Sequence, residues 1–355
     1  MRLLREASEI EHALMIQYLY AAFSLKPEYS DIVGYGDPNT TDLLGIAIQE
    51  MQHLAKVNHF LVALGAGPNL LRQDFPYEPD IYPFAFNLEP MSRASLAKYV
   101  FAEAPVSALD PLAARTEHDL AFIEQIGKEL PSDTKPNHIG SFYATIIDTV
   151  REVFAVSTLV LADLSSWVET LEKIKEEGED GHFQFFKKLF TGTHESFAGH
   201  QNIWELPRSD PAYPALWLPE NPSAYTGHES QIQDHGALSL AWLGNLHYWI
   251  ILLLLNFAYR AERPKLIELS QAHMLGPFWS LARHLPTLGS AMPFDALSMG
   301  YNPGRNIHTN LRFIKRILAE AQQLEQELGD LLPEDFPQSV CNDTSEQLND
   351  VFRLS

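Results

Sequence analysis

The stretch TDLLGIAIQEMQHLAKVNHFLVAL, residues 41–64, decides the fold. Leu43, Ala47, Leu54, Val57, Leu61 and Leu64 recur every three or four residues, the period of a helix with one buried face. Glu50 interrupts that stripe and His53 follows one turn later, so a carboxylate and an imidazole project together into the interior. A buried carboxylate needs a cation, a proton or a strong partner. Glu-x-x-His on a core helix is how di-iron and di-manganese bundles hold their metals. Alone the motif is weak, because any acidic helix can show it by chance.

Working outward from this helix, a first helix is predicted over about 5–25, stopped by Pro27. Its inner stripe of Leu14, Tyr18, Ala21 and Leu25 contains Glu11 one turn earlier. Gly34, Gly36 and Pro38 connect the two helices, with Thr40 or Thr41 as the expected cap of the second. The segment 66–91 is rich in Pro and aromatics and has no helical period, which suggests a crossover from one end of a bundle to the other. Its Phe75, Tyr77, Tyr82, Phe84 and Phe86 are candidates to wall a pocket or to cover the bundle.

Ser92 caps a short helix ending before Pro105, with Leu96, Val100 and Glu103 on one face. After an irregular stretch, Ile139 to Phe154 reads as a further helix. The next runs from about Leu159 to Phe190, where Glu179 and His182 repeat the Glu-x-x-His spacing and Glu176 precedes Glu179 by one turn. Gly178 and Gly181 each weaken that helix by about 1 kcal/mol relative to Ala. A bulge or bend that re-aims ligands is expected there.

Two Glu-x-x-His pairs plus Glu residues on two other helices supply four carboxylates and two imidazoles, the demand of a carboxylate-bridged metal pair. Bland readings compete with this. Glu176, Glu177, Glu179 and Asp180 also read as a solvated acidic run, Glu103 as an exposed helix end, and Tyr18 as ordinary core. The other twelve histidines, His247 and His273 among them, show no ligand-like spacing.

The rest of the chain is also helical in pattern, so the fold class is all-α. The expected organisation is a bundle over 1–200, a Pro-rich linker over 201–235, a helical C-terminal region over 236–332 packed on the bundle, and a loose polar tail over 333–355. The helix from 236 is apolar on all sides and is expected to be buried, against the first half or against a partner subunit. A formal charge of −21, from 46 acids and 25 bases, argues against nucleic acid and anionic membrane as partners. The apolar run Trp249–Leu255 is too short to span a bilayer. The N-terminus carries no apolar signal core, and Cys341 is the single cysteine, so a reducing cytoplasm is the expected location.

At these residues EIEHALMIQYLYAAFSL (9–25) and AIQEMQHLAKVNHFLVALG (47–65) resemble the ferritin-like domain of the iminophenylpyruvate dimer synthase family, which includes parts of violacein and related bisindole pathway enzymes. The resemblance continues through SLAKYVFAEAP (95–105), IGSFYAT (139–145), IKEEGEDGHFQFF (174–186) and the helices of 245–295. It implies a metal-binding four-helix core and oxidative coupling of an imine derived from an aromatic amino acid. Glu11, Glu50, His53, Glu179 and His182 fall on its motif positions, and Glu103 on a further one. The family often carries Glu where Ser141 stands, and an insertion before the His is absent here, leaving Glu176 and Glu179 to compete for the metal.

The expectation is a di-metal oxidoreductase acting with dioxygen or peroxide on a small aromatic or amino-acid-derived substrate. Its cofactors would be two iron ions, with manganese equally suited to the ligands. Glu50 and one of Glu103 or Glu179 would bridge, His53, His182 and Glu11 would be terminal ligands, and Tyr18 is the candidate catalytic side chain. Homo-oligomerisation is a further expectation. An iron-oxidising binder and a metal-free helical scaffold are the alternatives.

Overall fold

The computed structural model describes residues 1–72, 83–156, 164–200, 202–261, 263–297 and 307–353. Its first helix, α1 (Arg2–Ser24), leads through a short helical turn and α2 (Ser30–Val33) into α3 (Leu43–Ala63), which packs along α1. The apolar stripes read from sequence form the contact, since Leu14, Tyr18 and Ala21 of α1 and Ala47, Leu54 and Leu61 of α3 are buried. The cap of α3 is Asp42 rather than Thr40 or Thr41, its Oδ1 accepting from the Gly45 amide at 2.7 Å. The Thr41 hydroxyl is spent on Asn39 Oδ1 instead. The cap fits because Gly34, at a φ of 87°, carries no Cβ, and one there would lie 2.0 Å from Asp42 Oδ1.

Ser92 and Ser95 form a reciprocal capping box at the start of α4 (Arg93–Glu103), where the sequence placed a helix. Phe84 and Phe86 of the crossover are buried, while Phe75, Tyr77 and Tyr82 lie outside the described residues. The expected irregular stretch contains α5 (Glu117–Glu129), opened by a Thr116–Asp119 capping box. It buries only Phe122 and Ile126, so its apolar pattern is too sparse to read as a helix. α6 (Ile139–Val156) packs on α7 (Leu164–Glu176), which continues through a π-helical segment, Glu177–His182, into α8 (Phe183–Phe190). The bend expected at Gly178 and Gly181 is this π segment.

Compact units of Met1–Ala66 with Leu71–Trp217, and of Gly67–Leu70 with Leu218–Ser355, divide the chain. The division after Trp217 falls within the stretch read as a linker, 201–235. In the first unit Pro214 O accepts from the Lys26 amide at 2.9 Å and the Trp204 indole donates to Leu189 O at 2.7 Å. In the second, the buried Asp295 carboxylate accepts from Ser223 Oγ, the Ala224 amide and Asn245 Nδ2 at 2.7–2.8 Å.

The second unit contains α9 (His235–Ala261), α10 (Pro264–His273), a π segment at Met274–Phe278, α11 (Trp279–His284), α12 (Ile307–Leu328) and α13 (Val340–Arg353). By length and composition α9 is apolar enough to cross a membrane, but most of it is buried, and α10 and α12 pack on it. The tail expected to be loose forms α13, because Cys341, Thr344 and Leu348 make a buried stripe at helical spacing. Among the described residues there is no strand beyond two isolated bridges.

Candidate metal centre

α1, α3, α4 and the π segment each contribute to one buried cluster. Glu50 lies at its middle. Its Oε2 is 3.0 Å from His53 Nδ1 and its Oε1 is 2.9 Å from His182 Nδ1. Glu11 Oε2 stands 3.5 Å from His53 Nδ1 on one side, and Glu103 Oε1 3.7 Å from His182 Nδ1 on the other. The cluster thus has two matching halves, Glu11–Glu50–His53 and Glu50–Glu103–His182, with every member buried.

The outer atoms of each half are held in the same way. His53 Nε2–H donates to Glu177 Oε2 at 2.7 Å, and His182 Nε2–H donates to Gln49 Oε1 at 3.0 Å. Both rings therefore aim Nδ1 at Glu50, as imidazole ligands do when the other nitrogen is anchored. The Tyr143 hydroxyl donates to Glu11 Oε1 and the Tyr18 hydroxyl to Glu103 Oε1.

Charge and burial are in conflict here. Burial and the neighbouring Glu50 push Glu11 up to about 8. Burial opposes charging of the His182 ring, but Glu50 and Glu103 outweigh it and raise the ring to about 9. His53 lies well above its ordinary value for the same reason, through Glu50, Glu11 and Glu177. Burial also works against ionising Glu50, yet His182 and His53 hold it well below the usual carboxylate range. The cluster thus retains protons on Glu11, His53 and His182 that divalent cations could replace.

The donor atoms fit a pair of metal ions. His182 Nδ1 is buried and has no hydrogen-bond partner, although Glu50 Oε1 lies 2.9 Å away, because the two are out of line. That leaves a buried ring nitrogen beside a carboxylate oxygen with no hydrogen bond to satisfy it, an arrangement compatible with a shared cation. Glu11, Glu50, Glu103 and Glu179 could balance the charge of two divalent ions, and the cavity they line measures about 10 Å³, room for about one water-sized occupant beside the ligands. The arrangement is compatible with a di-metal site.

A family model described as Ferritin-like matches residues 4–191. The chain belongs to the ferritin-like family. It is 26% identical over 352 residues to dichlorochromopyrrolate synthase of Lentzea aerocolonigenes, a match covering 81% of this chain and 34% of that protein. It is 35% identical over 132 residues to 2-imino-3-(indol-3-yl)propanoate dimerase of Chromobacterium violaceum, covering 29% of this chain and 13% of that protein. The chain therefore spans about a third of the length of the first and much less of the second. No solved structure matches it.

Within this ferritin-like bundle, Glu11, Glu50, His53, Glu103 and His182 come together, and Glu179 lines the same cavity with its Oε2 3.1 Å from Lys175 Nζ. Glu176 does not join them. It is exposed, because it sits two residues, or about 200° of helix, beyond the buried Ile174. Gly178 and Gly140 make room for carboxylates: a Cβ on the first would lie 2.8 Å from Glu103 Oε2, and on the second 2.1 Å from Glu179 Oε1. Ser141 is absent from the cavity wall, whereas Tyr143, two residues on, reaches Glu11.

Gln49, Glu177 and Tyr143 are the site residues the sequence did not single out. Gln49 and Glu177 lie beside motif residues, but no period marks them, since the π segment sets where Glu177 points. Tyr143 was legible only as one residue of the helix expected over 139–154.

Proposed function

We propose that this ferritin-like protein is a non-haem di-iron oxidoreductase acting on a small aromatic, amino-acid-derived substrate. What carries the reading is Glu50 presenting one oxygen to each of two anchored imidazoles, with a carboxylate on either flank. One iron would be held by Glu11, Glu50 and His53 and the other by Glu50, Glu103 and His182, with Glu179 as the further carboxylate. When bound, the metal pair supplies two-electron chemistry with dioxygen. Tyr143 and Tyr18 hold Glu11 and Glu103 in place, Glu177 and Gln49 fix the ring orientations, and Leu14, Ile139 and Ile174 in the cavity wall exclude bulk water.

The two relatives are named for making dichlorochromopyrrolate and for dimerising an indolyl imine. These names support oxidative imine coupling as the reaction class. Joining two imine molecules through a new carbon–carbon bond releases two electrons and two protons, which reduce one dioxygen to hydrogen peroxide. The iron-loaded protein, given 2-imino-3-(indol-3-yl)propanoate and air, should consume oxygen and yield the coupled dimer by mass spectrometry. No dimer and no substrate-dependent oxygen uptake from a fully loaded protein would refute the coupling reaction.

One observation favours a second reading, iron oxidation without an organic substrate: the cavity at the cluster is only about 10 Å³. Oxygen uptake driven by ferrous iron alone, and unaffected by the imine, would select it.

A further inference from the structure

His247 on α9, His273 at the end of α10 and Cys341 in the first turn of α13 meet inside the second unit. One donor atom from each lies within 4.8 Å of the others, and all three residues are fully buried. They share no short sequence spacing, so no motif announces them. We propose that these three side chains form a second metal site, built for a zinc-class divalent ion and used to tie α9, α10 and α13 together.

Hydrogen-bond accounting motivates this. His247 Nδ1 is 2.9 Å from His273 Nδ1, and His273 Nε2 is 3.0 Å from the Thr344 hydroxyl. A neutral imidazole has one N–H. If His247 donates from Nδ1, its bare Nε2 faces Glu325 Oε1 at 3.2 Å, lone pair against lone pair. If His273 donates instead, the Nε2–H of His247 meets that oxygen out of line. Either way His247 Nε2 is buried without a hydrogen-bond partner, which a native interior rarely tolerates. A cation removes the conflict by taking lone pairs from both rings.

The donor set narrows the class of ion. Two imidazoles and a thiolate suit zinc and copper, and the site lacks the array of oxygen donors that calcium or magnesium needs. The Cys341 S–H now donates to Glu325 Oε1 at 3.3 Å. On metal binding the sulfur–proton bond breaks, a sulfur–metal bond forms and the proton leaves to solvent. The thiolate and the Glu325 carboxylate then balance a divalent charge. Complete burial leaves no route for a substrate, so the role is structural. A π turn adjoins this site as one does the first: His273 directly precedes Met274–Phe278, and His182 closes Glu177–His182.

Cobalt(II) distinguishes this site from the carboxylate centre, which contains no sulfur. Titrating Co²⁺ into the chelator-treated, reduced full chain should develop a sulfur-to-cobalt charge-transfer band that saturates at one equivalent per chain. The band should persist in Glu50→Ala, vanish in Cys341→Ser and be displaced by Zn²⁺. Zinc content of Glu50→Ala provides a measure that does not depend on Cys341→Ser folding, with one tightly held zinc per chain expected. Folded wild-type protein that binds cobalt without the band, a band that survives in Cys341→Ser, or zinc-free Glu50→Ala after zinc loading would overturn the proposal.

Discussion

His182 Nδ1 lies 2.9 Å from Glu50 Oε1 yet forms no hydrogen bond with it, while Gln49 holds the other ring nitrogen. The other Glu50 oxygen, Oε2, does hydrogen-bond His53 Nδ1 at 3.0 Å, and in the proposed centre Glu50 would serve both ions. Glu50→Ala should therefore abolish both metal sites of the bundle together. Metal analysis of the iron-loaded variant is expected to give no bundle iron, whereas loss of one ion with retention of the other would show that Glu50 does not bridge.

Glu177 touches the centre only through His53. The hydrogen bond and charge of that ring hold Glu177 down to about 2. Glu177→Gln keeps the shape and weakens the orienting bond, so iron affinity should fall about 10–100-fold, the usual effect of removing such a partner. Competitive chelator titration measures this, and an unchanged affinity would mean that the contact is incidental.

Tyr18 and Tyr143 occupy equivalent places, each donating to one flanking carboxylate, and burial raises both well above the ordinary phenol range. Tyr18→Phe and Tyr143→Phe should accordingly behave alike, each weakening metal binding while the rate per bound metal pair is kept. Loss of turnover in fully loaded Tyr18→Phe alone would instead give that hydroxyl a catalytic role.

The three atoms nearest a Cβ at position 140 all belong to the Glu179 side chain. Gly140→Ala should leave the fold intact, displace that carboxylate and lower metal occupancy. Circular dichroism and metal content read the two effects separately, and full occupancy would remove Glu179 from the ligand set.

Protons and metal ions compete for the same atoms. In the metal-free protein His182 titrates near 9 rather than at its ordinary 6.5, so its contribution to stability is complete below about 6.5 and is lost as pH rises through about 9. Glu11, raised from 4.5 to about 8, acts in the same direction: the folded state holds a proton that the unfolded state has released. The metal-free protein should thus lose stability between pH 6.5 and 9. Metal binding should tighten over the same range, because the protons must leave. The Tm difference between loaded and chelated protein is expected to be larger at pH 9 than at pH 6, and the reverse order would contradict the assignment.

The bundle and most of the carboxylates and imidazoles that meet inside it were legible because helical periodicity exposes a Glu in an apolar stripe, as at Glu11 and Glu50. What escaped the sequence depended on departures from that periodicity. Glu177 lies in the π segment and reaches His53, and no 3.6-residue pattern encodes such a turn. Tyr143 was hidden because its ring is core while only its hydroxyl serves the site. α5 was too sparsely apolar to read, and α13 was misread as tail because its buried stripe contains Cys341 and Thr344 rather than a row of large aliphatics.

The most direct test is anomalous diffraction at the iron edge from crystals of the iron-loaded protein. Two peaks are expected, one bounded by Glu11, Glu50 and His53 and the other by Glu50, Glu103 and His182. A single peak, or none at this cluster in a fully loaded protein, would contradict a dinuclear centre.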